Sequence, residues 1–144
     1  KFDSEYNDNF TTTDDLVGHG THIAGIIASQ DSTYKGVGRG VDLINVKAGW
    51  NPGSIYDSDM MKGVEWAINT AGADIISYSF GGSYIQASDC PSCRFFDSVV
   101  DDLGVVVSIA AGNDGPNSPS VGWPAIAYNV FSVDCFALPD FLCG

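Results

Sequence analysis

The chain has 144 residues and a formal net charge of −12, with six Lys and Arg against eighteen Asp and Glu. Nucleic acid is excluded as a partner, because so few cations in so acidic a chain cannot neutralise a run of phosphates. No apolar run reaches the length of a membrane span, and the length suits one domain.

The acidity comes from sixteen Asp and only two Glu. Short carboxylates suit turns, helix caps and calcium, and a surface rich in them suits salty or extracellular surroundings. Lys1-Phe2-Asp3-Ser4-Glu5 is not a signal peptide, while Asn9-Phe10-Thr11 is a glycosylation sequon that supports an extracellular location. Residues 1–17 read as a polar loop. A helix is predicted over 20–29, with Ile23, Ile26 and Ile27 on one face. Gly36 to Gly40 form a turn region, residues 41–48 alternate as a strand, and Asn51 to Ser54 form a loop. Residues 57–71 have helical spacing in Met60, Met61, Val64, Ala67 and Ile68, with Asp57 or Ser58 as the cap.

A strand over 73–79 ends at Gly81-Gly82, and a cysteine-bearing loop follows. Residues 94–103 are helical and Gly104 ends that helix. Residues 105–110, Val-Val-Val-Ser-Ile-Ala, form an apolar strand of the kind buried on both faces. A last strand covers 129–134. Strands alternating with helices predict an α/β fold with a mostly parallel sheet.

Three runs carry chemistry. Gly18-His19-Gly20-Thr21-His22-Ile23-Ala24-Gly25 sets an imidazole, able to take a hydroxyl proton at ordinary pH, among glycines at a helix start. A metal site from His19 and His22 lacks the intervening Glu and the spacing of the zincin pattern. Ala110-Ala111-Gly112-Asn113-Asp114-Gly115 carries a buried strand into a glycine turn that presents an amide donor; Asn-Asp-Gly is also a common turn sequence. Ile75-Ile76-Ser77-Tyr78-Ser79-Phe80-Gly81-Gly82 ends a strand on glycines, which let a peptide backbone approach and pair as an added strand.

The histidine run resembles that of the subtilisin-like serine proteases, the subtilases (peptidase S8), and the other two resemble that family's oxyanion and substrate-binding segments. Gly63-Val64-Glu65-Trp66-Ala67-Ile68 is similar to the family helix before the substrate strand. Val121-Gly122-Trp123-Pro124-Ala125 resembles a segment with a cis proline, so a cis bond is expected at Trp123-Pro124. The five matches stand in the family's order over about residues 16–134.

The resemblance implies a subtilisin-like three-layer α/β/α fold, incomplete in this chain, with residues 1–144 forming part of a peptidase domain. It makes His19 the general base and Asn113 the donor to the oxyanion. Ser79, Phe80 and Gly81 become one wall of the substrate cleft and Ala110, Ala111 and Gly112 the other, with Gly53 on a further edge. The substrate is then a polypeptide, cleaved through an acyl-enzyme.

The family's aspartate, on a separate strand ahead of the histidine, and its Gly-Thr-Ser nucleophile have no counterparts here. Asp14 and Asp15 stand five and four residues before His19 and read as loop or capping residues. Of the serines after Asn113, namely Ser118, Ser120 and Ser132, none has the required setting. The expectation is a segment inactive alone and unstable in isolation, completed by further segments of the same protein or a companion chain. The alternative is a catalytically dead subtilase-like scaffold or assembly module outside the cell.

The chemistry requires no cofactor. A structural calcium is left open, although the loop Ser29 to Thr33 is short beside relatives that hold calcium there. Cys90, Cys93, Cys135 and Cys143 permit three complete pairings, or a zinc or redox site. In an exported protease they imply disulfides, with Cys90–Cys93 and Cys135–Cys143 as the local pairing.

Overall fold

The computed structural model describes residues 14–49, 55–83, 85–116 and 118–135. The chain divides into two compact units, Lys1–Ala73 and Asp74–Gly144.

Among its described residues the first unit carries two helices. Helix α1, His19–Ala28, starts after Gly18, whose φ of 87° is a left-handed conformation that glycine adopts without steric penalty. The chain then folds back along the end of α1: Val37 N–H donates to the Ile26 carbonyl at 3.1 Å and Gly38 N–H to the Ile27 carbonyl at 2.7 Å. Gly36 sits buried in that return, where a β-carbon would collide with the backbone of Ala28 and Ser29.

Residues 41–49 contain no strand, contrary to the alternating pattern of 41–48. A strand is defined by a hydrogen-bonded neighbour. The described sheet lies wholly in the second unit, and Val41, Leu43 and Ile44 are exposed. Helix α2, Asp57–Asn69, is capped by Tyr56 in extended conformation rather than by Asp57 or Ser58. Asp57 and Asp59 lie inside its first turn, where carboxylates favour the positive end of the helix dipole. Its buried face holds Asp59, Met60, Gly63, Val64 and Ala67, as the sequence spacing requires.

Among its described residues the second unit holds a three-stranded parallel sheet, with a 3-10 turn and an α-helix between its first two strands. Strand β1, Ile75–Tyr78, pairs with β2, Val106–Ala110, in the register Ile75↔Val106 to Tyr78↔Ile109. Strand β3, Phe131–Val133, pairs with the far side of β2. Helix α3, Pro91–Leu103, links β1 to β2; Cys90 caps it, Pro91 occupies the first turn, and Gly104 at φ 67° ends it. Pro is tolerated there because the first turn has no use for its missing N–H.

Phe96 of α3 is fully buried, its ring centroid 5.4 Å from that of Tyr78. Val99, Val107 and Ile109 complete this core. Strand β2 is not buried on both faces: Val107 and Ile109 point inward, whereas Val106 keeps 44% of its surface. The apolar run hides this alternation because both faces carry aliphatic side chains.

Candidate active site

His19 is the first residue of α1 and its side chain is exposed, as is that of His22 one turn on. Asp15 organises the helix start. One carboxylate oxygen accepts from Val17 N–H at 3.0 Å and Gly18 N–H at 2.8 Å. The other accepts from the Thr21 N–H and the Thr21 hydroxyl, both at 2.8 Å.

The Thr21 and Gly18 amides, the Thr21 hydroxyl and the Val17 amide hold this carboxyl well below the usual carboxylate range. With four donors on its two oxygens, Asp15 caps α1, as its place in the sequence suggests. The Asp14 carbonyl accepts from Lys47 Nζ at 2.7 Å. Among the described residues no three His, Cys, Asp or Glu side chains gather as a metal site.

The other predicted residues stand in the second unit. The pairing of Tyr78 with Ile109 sets Ser79, Phe80 and Gly81 beside Ala110, Ala111 and Gly112, just past the carboxyl ends of adjacent parallel strands. Ligands of open α/β sheets bind outside those ends. Gly81, Ala110 and Gly112 are exposed, Ser79 and Phe80 half-buried, and Ala111 buried. Gly112 has φ 109°, a conformation strained for any side chain, and the residue after it, Asn113, is exposed. Gly53 lies outside the described residues.

The segment Gly122-Trp123 bridges these two stretches. Gly122 N–H donates to the Ala111 carbonyl at 2.8 Å, and Gly82 N–H donates to the Trp123 carbonyl at 2.9 Å. Ala111 N–H in turn donates to the Val133 carbonyl at 2.8 Å, tying the second stretch to β3. A β-carbon on Gly81 would strike the Trp123 carbonyl, and one on Gly122 would strike the Gly82 carbonyl. The Trp123-Pro124 bond is cis as expected; Gly115-Pro116 and Ser118-Pro119 are cis as well.

Cys90 and Cys93 form a disulfide, and Cys93 N–H donates to Cys90 Sγ at 3.1 Å across the first turn of α3. Cys135 is disulfide-bonded too, and its expected partner Cys143 lies outside the described residues. The sequence reading did not find the bracing role of Gly122 and Trp123, although Val-Gly-Trp-Pro was the signal. It also missed Asp59, which is fully buried with neither carboxylate oxygen hydrogen-bonded; nothing in an acidic first turn distinguishes it.

The model of the subtilase family matches residues 1–138. Over 129 residues the chain is 36% identical to the serine protease AprX of Bacillus subtilis (strain 168), covering 81% of this chain and 29% of that protein. It is 33% identical over 141 residues to the minor extracellular protease Vpr of the same organism, covering 95% of this chain and 17% of Vpr. Pyrolysin of Pyrococcus furiosus is 31% identical over 156 residues, covering 85% of this chain and 11% of pyrolysin. Among solved structures, sphericase superposes with a TM-score of 0.57 at 26% identity, over 75% of this chain and 36% of that one. The chain therefore spans less than a third of each of the three curated relatives.

Proposed function

The chain belongs to the subtilase family, and on that premise we propose that it is part of an extracellular serine endopeptidase that cleaves polypeptides through an acyl-enzyme. In this reading residues 1–144 are a partial peptidase domain. The triad aspartate and nucleophilic serine come from elsewhere in the protein or a companion chain, and this segment is inactive alone.

His19 takes the proton from the serine hydroxyl and returns it to the leaving amine. Asn113 donates its side-chain amide to the oxyanion as the tetrahedral intermediate forms. A donor fixed in advance at developing charge supplies on the order of 3 kcal/mol of transition-state stabilisation. The stretches Ser79–Gly81 and Ala110–Gly112 receive the substrate between them, with Gly53 at a further edge. Apart from Phe80 their side chains are small and leave room for a large apolar residue, and their glycines let the substrate backbone pair as a strand. This chemistry requires no cofactor; a structural calcium would serve stability alone.

The observation that carries the reading is the side-by-side placement of those two stretches past the ends of paired parallel strands, with the exposed Asn113 following the second. The acidic surface and the resemblance to an extracellular protease support location outside the cell. The test is to treat the full protein with a fluorophosphonate probe and to assay cleavage of an unstructured polypeptide. Labelling of one serine, abolished together with cleavage by His19→Ala, is expected. A full protein that neither labels nor cleaves would instead be a scaffold that has lost its chemistry.

A further inference from the structure

The Cys90–Cys93 disulfide has no part in the chemistry just described, yet it is fully enclosed. With Ala127 it forms a buried cluster against which Ile85, Trp123, Ile126 and Val130 pack. Trp123 belongs to two structures at once. Its side chain packs on the disulfide cluster, and its indole also lies over Gly82, so closely that a β-carbon on Gly82 would meet the ring. Its carbonyl accepts from Gly82 N–H, while its neighbour Gly122 donates to the Ala111 carbonyl.

One short segment therefore ties the stretch around Gly81-Gly82 to the stretch around Ala111. The buried cystine is the surface on which that segment rests. A small apolar cluster centred on a covalent cross-link resists deformation, because neither sulfur can move without the first turn of α3.

We propose that the Cys90–Cys93 disulfide, acting through Trp123, is a positioning element that sets the spacing of the two cleft walls and hence the affinity for peptide. The inference rests on the protease reading for its activity readout. The disulfide touches neither substrate nor any reacting atom, so its loss alters KM and leaves kcat in place. Cys135 and its bond are untouched by this device, so chemical reduction would confound the two disulfides, and substitution separates them.

The experiment uses the full protein with Cys90→Ala and Cys93→Ala together, compared with wild type for hydrolysis of an extended peptide and for amide exchange at Gly82 and Gly122. The expected result is a KM raised about tenfold, kcat within about twofold, and faster exchange at both amides. An unchanged KM in a folded variant, or a loss confined to kcat, would overturn the proposal. Where the double variant does not fold, Trp123→Phe takes its place. It keeps the backbone carbonyl and shrinks the ring over Gly82, and a rise of about threefold in KM at constant kcat is expected, with no change overturning the proposal. If wild type cleaves nothing, the protease reading fails alone. Exchange at Gly82 and Gly122 then decides the positioning role, accelerated if it holds and unchanged if it does not.

Discussion

The two units hold their functional residues in different ways. In the second, Phe96 and Ile109 have no exposed surface, and the stretches around Gly81 and Ala111 hang from strands that this core fixes. In the first, α1 has no buried residue at all, and Leu16 and Val37 expose 77% and 93% of their surface. Motif strength does not account for the difference, since α1 bears the most specific sequence run in the chain. The lesson is that a chemical motif and the packing that makes it rigid are separate properties. The histidine helix is shaped locally, by Asp15 at one end and the returning loop at the other, whereas the stretches around Gly81 and Ala111 are shaped by a sheet.

The largest test of this contrast is functional. In the full protein, His19→Ala should lower kcat by roughly 10⁴-fold or more, since removing one member of a proton-transfer unit leaves only the oxyanion and binding contributions. Circular dichroism should be unchanged, because the side chain is exposed. A kcat within tenfold of wild type would remove His19 from the chemistry.

The next test is of stability. Phe96→Ala empties a fully enclosed site beside Tyr78 and should lower unfolding free energy by about 3–5 kcal/mol. Ile26→Ala on α1, where half of the side chain is already in solvent, should change it by less than about 1 kcal/mol. Equal losses, read by chemical denaturation of the full protein, would show that α1 is covered by parts of the protein beyond the residues described here.

Asn113→Ala comes third. It removes an exposed amide at the end of the second stretch, and kcat should fall about 10²–10³-fold with KM unchanged. A rise in KM without loss of kcat would make Asn113 a substrate contact instead of an oxyanion donor.

Much of this was legible in the residues. The helix over 20–29 is found at His19–Ala28, the helix end at Gly104 and the cis bond at Trp123 follow expectation, and Cys90 pairs with Cys93. These are local features, encoded in a glycine, a proline or a spacing. What was not legible depended on neighbours. Residues 41–48 alternate as a strand should, but alternation cannot supply a pairing partner. The Val-rich run of β2 could not reveal that Val106 is exposed, since an aliphatic residue reads alike on either face. The place of Trp123 between two stretches some forty residues and a dozen residues away along the chain is set by the sheet, not by its own sequence.

The smallest expected effect probes the first unit alone. The carboxyl of Asp15 is held well below its ordinary value of 3.8 by the Thr21 and Gly18 amides, then by the Thr21 hydroxyl and the Val17 amide. That of Asp31 is lowered by the Tyr34 and Thr33 amides. A group whose folded pKa is depressed stabilises the fold fully above its unfolded value, and that contribution fades as pH falls toward the folded value. Acidification below about pH 4 should therefore loosen the start of α1 and the turn at Asp31 before it affects the core around Phe96 and Ile109. Both carboxylates are exposed, so solvent screens the effect and keeps it small. Amide signals of Gly18 and Thr21 in the full protein, followed by NMR from pH 5 to pH 2.5, should shift and lose protection before those of Val107 and Ile109. In Asp15→Asn, which cannot titrate, the Gly18 and Thr21 response should vanish. If it persists unchanged in that variant, the acid sensitivity of α1 has another source, and Asp15 is a cap that does not couple the histidine helix to pH.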